Sequence, residues 1–385
     1  MLTGVGLHHG ATVSGRPTVT DVAVAAGRLR DTTRVTPLEP CERLSREVGV
    51  PVLLKREDLQ VCRSYKIRGA YNLMSSLDAG ERERGVVCAS AGNHAQGVAF
   101  SCGTLKITGH IYLPGNTPKQ KLDRILAIGG RWVEPVIVGS YFDQADEAAR
   151  RHHELTGAVY VHPFDDLRTV AGQATIAAEI DSQQPCPIDT VIVPVGGGGL
   201  IAGILVWLKE HRPGIRVVGV EPEGAASMAA AISRGGPSAL TSVDTFVDGA
   251  AVRRVGRIGF DVVRDLVDDL VTVPNGAVCL EMVDLYQADG IIAEPAGALA
   301  SAAARVALRS RPTGPVVCIV SGGNNDIGRY GDVLRQAREH GAPARPDPPP
   351  APRPGSQSRT DGSTRAATDS EGACAPTRST VAAGG

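Results

Sequence analysis

Residues 191–208 read VIVPVGGGGLIAGILVWL. Residues 190–195 are a continuous, largely β-branched run, the pattern of a strand buried on both faces. Four glycines follow, Gly196, Gly197, Gly198 and Gly199, and an apolar helix begins near Leu200. Glycines let the chain turn sharply and aim several backbone N–H groups at one anion, and a helix N-terminus adds a favourable dipole. A phosphate is the natural guest. The plain alternative is a close strand-to-helix turn without a ligand. Four consecutive glycines cost folding entropy, however, and that cost is hard to explain without a group that needs bare backbone. A second reading is also open. Gly197-x-Gly199-x-x-Ala202 fits the dinucleotide fingerprint, and Glu221 ends the next strand about 20 residues on, so a nicotinamide-dependent dehydrogenase fits this stretch too.

Outward from that stretch, strands and helices alternate. Strands are expected at 52–55, 85–89, 107–113, 131–138, 159–161, 216–220 and 315–320. Helices are expected at 19–30, 66–77, 93–102 and 142–155. One more helix should start at Thr117-Pro118, with Thr as cap and Pro at the first helical position. This alternation implies an α/β protein with a mostly parallel sheet, whose ligands bind at the carboxyl ends of the strands.

The chain has 385 residues, 42% hydrophobic and 21% charged, which is ordinary for a soluble enzyme of two or three domains. Lys+Arg is 40 against Asp+Glu 41. Without a basic excess, nucleic acid is not an expected partner. No apolar run approaches the ~18–20 residues of a membrane span, and residues 1–18 lack the pattern of a signal peptide. The eight cysteines are scattered without a CxxC pair, which argues against a zinc site or a disulfide framework and fits a reducing cytosol. Residues 1–18 read as a flexible start. Residues 341–385 hold eight prolines and no Leu, Ile or aromatic residue, and read as a disordered tail.

Three further segments fall where ligands are expected. Only six of the 40 basic residues are lysines, so the chain prefers Arg where charge alone is needed. One of the six, Lys66, lies between Tyr65 and Ile67 in KREDLQVCRSYKIRGAYN, at the start of a helix. It is a candidate for amine chemistry, against the ordinary reading of a surface lysine. In SAGNHAQG, Asn93 and His94 open a helix after a strand; His94 reads more simply as a structural histidine. In SGGNND, Ser321 follows the last strand, where it is either a ligand-facing hydroxyl or a helix cap.

Taken together, these segments resemble the threonine ammonia-lyase (threonine dehydratase) branch of the tryptophan-synthase-β-like, fold type II pyridoxal phosphate enzymes. The likeness runs from about residue 19 to residue 330. It includes TPLEP, CASAGNHAQGVAFSC, HPFDD, VAGQATIAAEI, GVEPEGAASM, FVDGAAV and AEPAGALA, in family order. It is strongest to the biosynthetic form that makes 2-oxobutanoate for isoleucine. The resemblance implies pyridoxal 5'-phosphate as cofactor, held covalently at Lys66. Its phosphate would lie on the backbone of Gly196, Gly197, Gly198, Gly199 and Leu200. Asn93 would meet the ring oxygen, Ser321 the pyridine nitrogen, and Tyr65 (usually Phe) would pack near the ring, with Glu294 close by. Ser90, Ala91, Gly92 and Asn93 would receive the substrate carboxylate.

The resemblance also implies α,β-elimination of L-threonine, and more slowly of L-serine, in a cytoplasmic homo-oligomer acting on a small amino acid. Serine racemases belong to the same family and form the runner-up. They carry serine where this chain has Ala91, and members with a divalent metal site use an acidic residue where it has Ser227, beside Glu221. No metal site is therefore expected. Two domains are expected, a large one of 19–80 plus 158–340 and a small one of 81–157, with the cofactor in the cleft between them. A C-terminal regulatory domain, common in biosynthetic members, is not expected in the Pro-rich tail.

Overall fold

A computed structural model describes residues 15–184, 187–306, 308 and 311–340. The tail expected at 341–385 and most of the start expected at 1–18 lie outside the described residues. Thr18 is described, and it caps the first helix, Val19–Leu29, in a reciprocal box with Asp21.

The strands are β1 Leu38–Pro40, β2 Val52–Arg56, β3 Val86–Ala89, β4 Gly109–Leu113, β5 Val133–Ile137, β6 Val159–Tyr160, β7 Thr190–Pro194, β8 Arg216–Pro222, β9 Asp269–Val273 and β10 Val316–Val320. They form a six-stranded sheet of order β1-β2-β10-β7-β8-β9 and a four-stranded sheet of order β5-β4-β3-β6. All pairings are parallel except the edge strand β1, which runs antiparallel to β2. The fold is therefore the expected α/β class with mostly parallel sheets. Strand β6, at Val159–Tyr160, pairs with β3, beyond the 81–157 segment expected to form the smaller domain.

The large sheet is covered on both sides, which explains its unbroken apolar strands. Ile192, Val218, Val220, Cys318 and Val320 share one core with residues of helices Asn275–Gln287 and Pro295–Val306. Their neighbours Val191, Val193, Val217, Val317 and Ile319 point the other way, against helices Leu167–Gln183, Gly199–His211 and Arg257–Leu266. This is the two-residue alternation of a strand with both faces buried. β10 lies between β2 and β7, with Val316 opposite both Val52 and Thr190, so the segments that follow β7 and β10 leave the same edge of the sheet.

One helix start differs from expectation. The helix is Lys119–Gly129, and Pro118 rather than Thr117 is its N-cap. The Thr117 hydroxyl instead donates to the Pro114 carbonyl at 2.7 Å, closing the preceding turn. Among the described residues no helix is long and apolar enough to cross a membrane.

Candidate active site

Lys66 opens helix Lys66–Ser75, and this helix is firmly mounted. Arg68, two residues in and buried, donates to both oxygens of Glu57 at 2.8 Å and to Glu179 at 2.6 and 3.0 Å. Glu179 also accepts from buried Lys55 at 2.6 Å. Burying these charges is tolerable only because each is paired. On the same side, a Cβ at Gly172 would lie 2.6 Å from the Arg68 carbonyl, so helix Leu167–Gln183 packs backbone to backbone against the lysine helix.

The Lys66 amine donates to the Pro163 carbonyl at 3.1 Å and lies 5.2 Å from the Tyr65 ring centre. Burial pushes its pKa down to about 8, with Glu294 opposing the shift. The neutral form that a base or nucleophile requires is therefore far more populated near physiological pH than in an ordinary lysine, though still the minority.

The structure brings the other expected residues to the same cavity, of about 1330 Å³. Lys66, Tyr65, Ser90, Ala91, Gly92, Asn93, Gly196 to Leu200, Glu294 and Ser321 all line it. Asn93 begins helix Asn93–Leu105. Its Nδ2 donates to Glu294 at 2.6 Å, and its Oδ1 accepts from Asn324 at 2.8 Å. Asn324 is itself held by the Cys62 carbonyl at 2.8 Å. Burial, helped by the Asp248 charge, pushes Glu294 up to about 7, and the Asn93 bond opposes the rise. Ser321 donates to the Ala296 carbonyl at 3.1 Å, and its own carbonyl accepts from the Tyr65 N–H at 3.2 Å. Burial and Glu294 hold the Tyr65 phenol above its ordinary range. In the loop before Asn93, the Ser90 hydroxyl accepts from the Gly92 N–H at 3.2 Å.

The glycine loop is bare by necessity. Gly198 sits at φ +94°, and a Cβ at Gly197 would lie 2.3 Å from the Phe164 ring. Helix Gly199–His211 begins there with no side-chain cap, leaving its first N–H groups for a ligand. The loop has the bare backbone that could cradle an anion, and it lines the same cavity as a lysine of depressed pKa. Those features fit pyridoxal phosphate, a phosphorylated aldehyde.

Two nearby groups have structural duties. His94 donates from Nε2 to the Val161 carbonyl at 2.7 Å, and burial together with Lys66 pushes it down to about 3. The Glu221 carboxylate accepts from the Met228 and Ala229 N–H groups at 2.6 and 2.9 Å, capping helix Ser227–Arg234. Sequence reasoning missed Pro163, Phe164 and Asn324 as site residues. They stand within HPFDD and SGGNND, but their contacts are set only by the tertiary fold.

A parallel α/β fold with a buried lysine and a bare glycine loop on one cavity points to a class, and comparison with known proteins gives the same one. The chain belongs to the pyridoxal-phosphate dependent enzyme family, whose model matches residues 29–322. That match favours pyridoxal phosphate over a nicotinamide dinucleotide as the cofactor. Within the family, the chain is 52% identical over 322 residues to the L-threonine dehydratase biosynthetic IlvA of Mycobacterium tuberculosis, covering 83% of this chain and 75% of that one. It is 43% identical over 319 residues to the protein of the same name from Bacillus subtilis, covering 83% and 76%. Among solved structures it is similar to the processed form of threonine deaminase isoform 2 from Solanum lycopersicum, with TM-score 0.78, 37% identity and coverage of 86% and 93%. It is also similar to maize serine racemase, with TM-score 0.78, 33% identity and coverage of 85% and 99%.

Proposed function

We propose that this protein deaminates L-threonine to 2-oxobutanoate and ammonia, and L-serine more slowly to pyruvate and ammonia. The observation that carries the reading is the Lys66 amine, held at the Pro163 carbonyl with its pKa pushed down to about 8. The relatives named above support threonine as substrate. Their description as biosynthetic supports a place at the start of isoleucine formation in the cytoplasm.

Bound pyridoxal phosphate supplies an electron sink for the α-carbon of the amino acid. This chain's residues do the rest. Gly196 to Leu200 would hold the phosphate through backbone N–H groups and the helix dipole. The N–H groups of residues 90–93 receive the substrate carboxylate, and the Asn93 side chain, fixed by Glu294 and Asn324, orients the cofactor. Tyr65, which lines the cavity, would pack beside the cofactor ring. Lys66 Nζ takes the α-proton, and the Pro163 carbonyl keeps that amine in place. Ser321 would present a neutral hydroxyl, rather than a carboxylate, to the cofactor. Loss of the β-hydroxyl is then favoured over transamination.

The likeness to serine racemase keeps one alternative in view, and Ala91 argues against it. Racemisation needs a second acid on the far face of the α-carbon, and a methyl group carries no such proton. The decisive experiment is the visible spectrum of purified protein before and after borohydride, together with 2-oxobutanoate release from L-threonine. A reducible band that maps to Lys66, and turnover abolished in a folded Lys66→Ala protein, are expected. Near-wild-type 2-oxobutanoate production by Lys66→Ala overturns the assignment.

A further inference from the structure

The HPFDD segment contributes a carbonyl and a ring to the site, and a third side chain arranges both. His162 Nδ1 accepts from two backbone N–H groups, those of Phe164 at 3.3 Å and Asp165 at 2.8 Å. Two donors converging on one ring nitrogen fix the tautomer: Nδ1 is bare, and the imidazole is neutral with its proton on Nε2. Burial agrees, pushing the group down to about 4. The bonds fold residues 162–165 into a tight turn. The Phe164 ring stands edge-on to the imidazole, with centres 4.8 Å apart.

That turn touches the site twice. Its Pro163 carbonyl takes the Lys66 amine at 3.1 Å. Its Phe164 ring and backbone fill the space that Cβ atoms at Gly197 and Gly199 would need. The turn is also tied back to the cradle, because Asp165 accepts from the Ile258 N–H at 2.9 Å and the Gly256 N–H donates to the Gly197 carbonyl at 3.0 Å. One neutral imidazole thus sets the wall that faces both the base and the phosphate loop.

We infer that His162 is a positioning residue for proton abstraction: as a neutral double acceptor it holds the 162–165 turn so that the Pro163 carbonyl keeps the Lys66 amine aimed at the α-proton. The inference rests on the proposed role of Lys66 as base. In this role His162, which also lines the cavity, acts through the turn it holds, so its loss acts on the geometry of transfer. An ångström-scale misplacement of a reacting group costs on the order of a hundredfold in rate.

Three variants of the holoenzyme test it. His162→Leu removes the acceptor, His162→Asn returns an amide oxygen close to the Nδ1 position, and His162→Gln carries the oxygen one methylene too far. The readouts are kcat, KM and the kinetic isotope effect on kcat with α-deuterated L-threonine. In His162→Leu, kcat should fall roughly ten- to a hundredfold with KM within about threefold, and the isotope effect should rise because proton abstraction becomes limiting. His162→Asn should stay within about threefold of wild type, and His162→Gln should show the raised isotope effect. A protein that only loses folded enzyme drops kcat without moving the isotope effect, and that result overturns the inference. Equal impairment of His162→Asn and His162→Leu also overturns it, as does wild-type behaviour of His162→Gln. Should His162→Leu fail to fold, the Asn and Gln pair decides alone. Turnover by Lys66→Ala would sink the underlying role of Lys66, whatever the His162 variants do.

Discussion

Gly199→Ala tests the cradle directly. A Cβ there would lie 2.8 Å from the Phe164 carbonyl oxygen and 2.9 Å from its Cα and Cβ, where ordinary contact begins at 3.4 Å. Two of the opposing atoms are backbone, so a side-chain rotation cannot relieve the clash. Either the loop or the Phe164 segment must retreat by roughly half an ångström, and overpacking of this kind costs about 1–3 kcal/mol. Both routes damage the site. Retreat of the loop turns its N–H groups off the phosphate, and retreat of Phe164 draws the Pro163 carbonyl away from Lys66. If the cost falls on the bound state, ~1.4 kcal/mol per tenfold makes pyridoxal phosphate binding about 5- to 150-fold weaker. The assay is equilibrium titration of cofactor-stripped protein with pyridoxal phosphate, alongside Tm and kcat. Unchanged affinity with a lowered Tm would place the whole cost on the fold and refute the phosphate role of this loop.

Two further outcomes are expected. Glu294 has a folded-state pKa raised from 4.5 to about 7, so the folded protein binds its proton more tightly than the unfolded chain does. Its contribution is favourable at low pH and is lost as pH rises between those values, so in cofactor-stripped protein the Tm of Glu294→Gln should gain on wild type from pH 4.5 to 7; a constant difference across that range refutes the buried-carboxyl argument. With L-serine, chiral chromatography should show pyruvate far in excess of D-serine, because Ala91 offers no second acid; D-serine formed as fast as pyruvate would make this a racemase.

Much of this molecule is legible in its sequence where burial leaves a simple pattern. β7 and β10 are apolar runs between turn signals, and the observed strands lie within a residue of the expected ones. β1 was not legible, because it is a three-residue edge strand, Leu38–Pro40, with no room for a period and a proline at its end. Helix Pro295–Val306 was hidden for the opposite reason: ten of its residues are buried, all round the helix, so no polar stripe marks it. At the site, Lys66 and the glycines announce themselves by chemistry. Pro163 cannot, because its contribution is a main-chain carbonyl that any residue type carries, placed by a turn that depends on His162. The scarcity of lysine was a mixed guide, since Lys55 is also buried, yet it serves the ion cluster with Glu179 rather than the cavity.

The mounting of the Lys66 helix has a consequence for when the entropy of catalysis is spent. Arg68 is tied to two carboxylates from separate elements, and Gly172 lets a neighbouring helix lie against the backbone beside it. In its proposed role as base, Lys66 therefore has the translational and rotational freedom of its backbone removed once, as the chain folds. A base on a loose loop would have to be ordered afresh in each encounter with substrate, and that ordering would be added to every barrier. Here the cost is carried by the native state's stability for the lifetime of the molecule, and each substrate meets an amine that is already ordered.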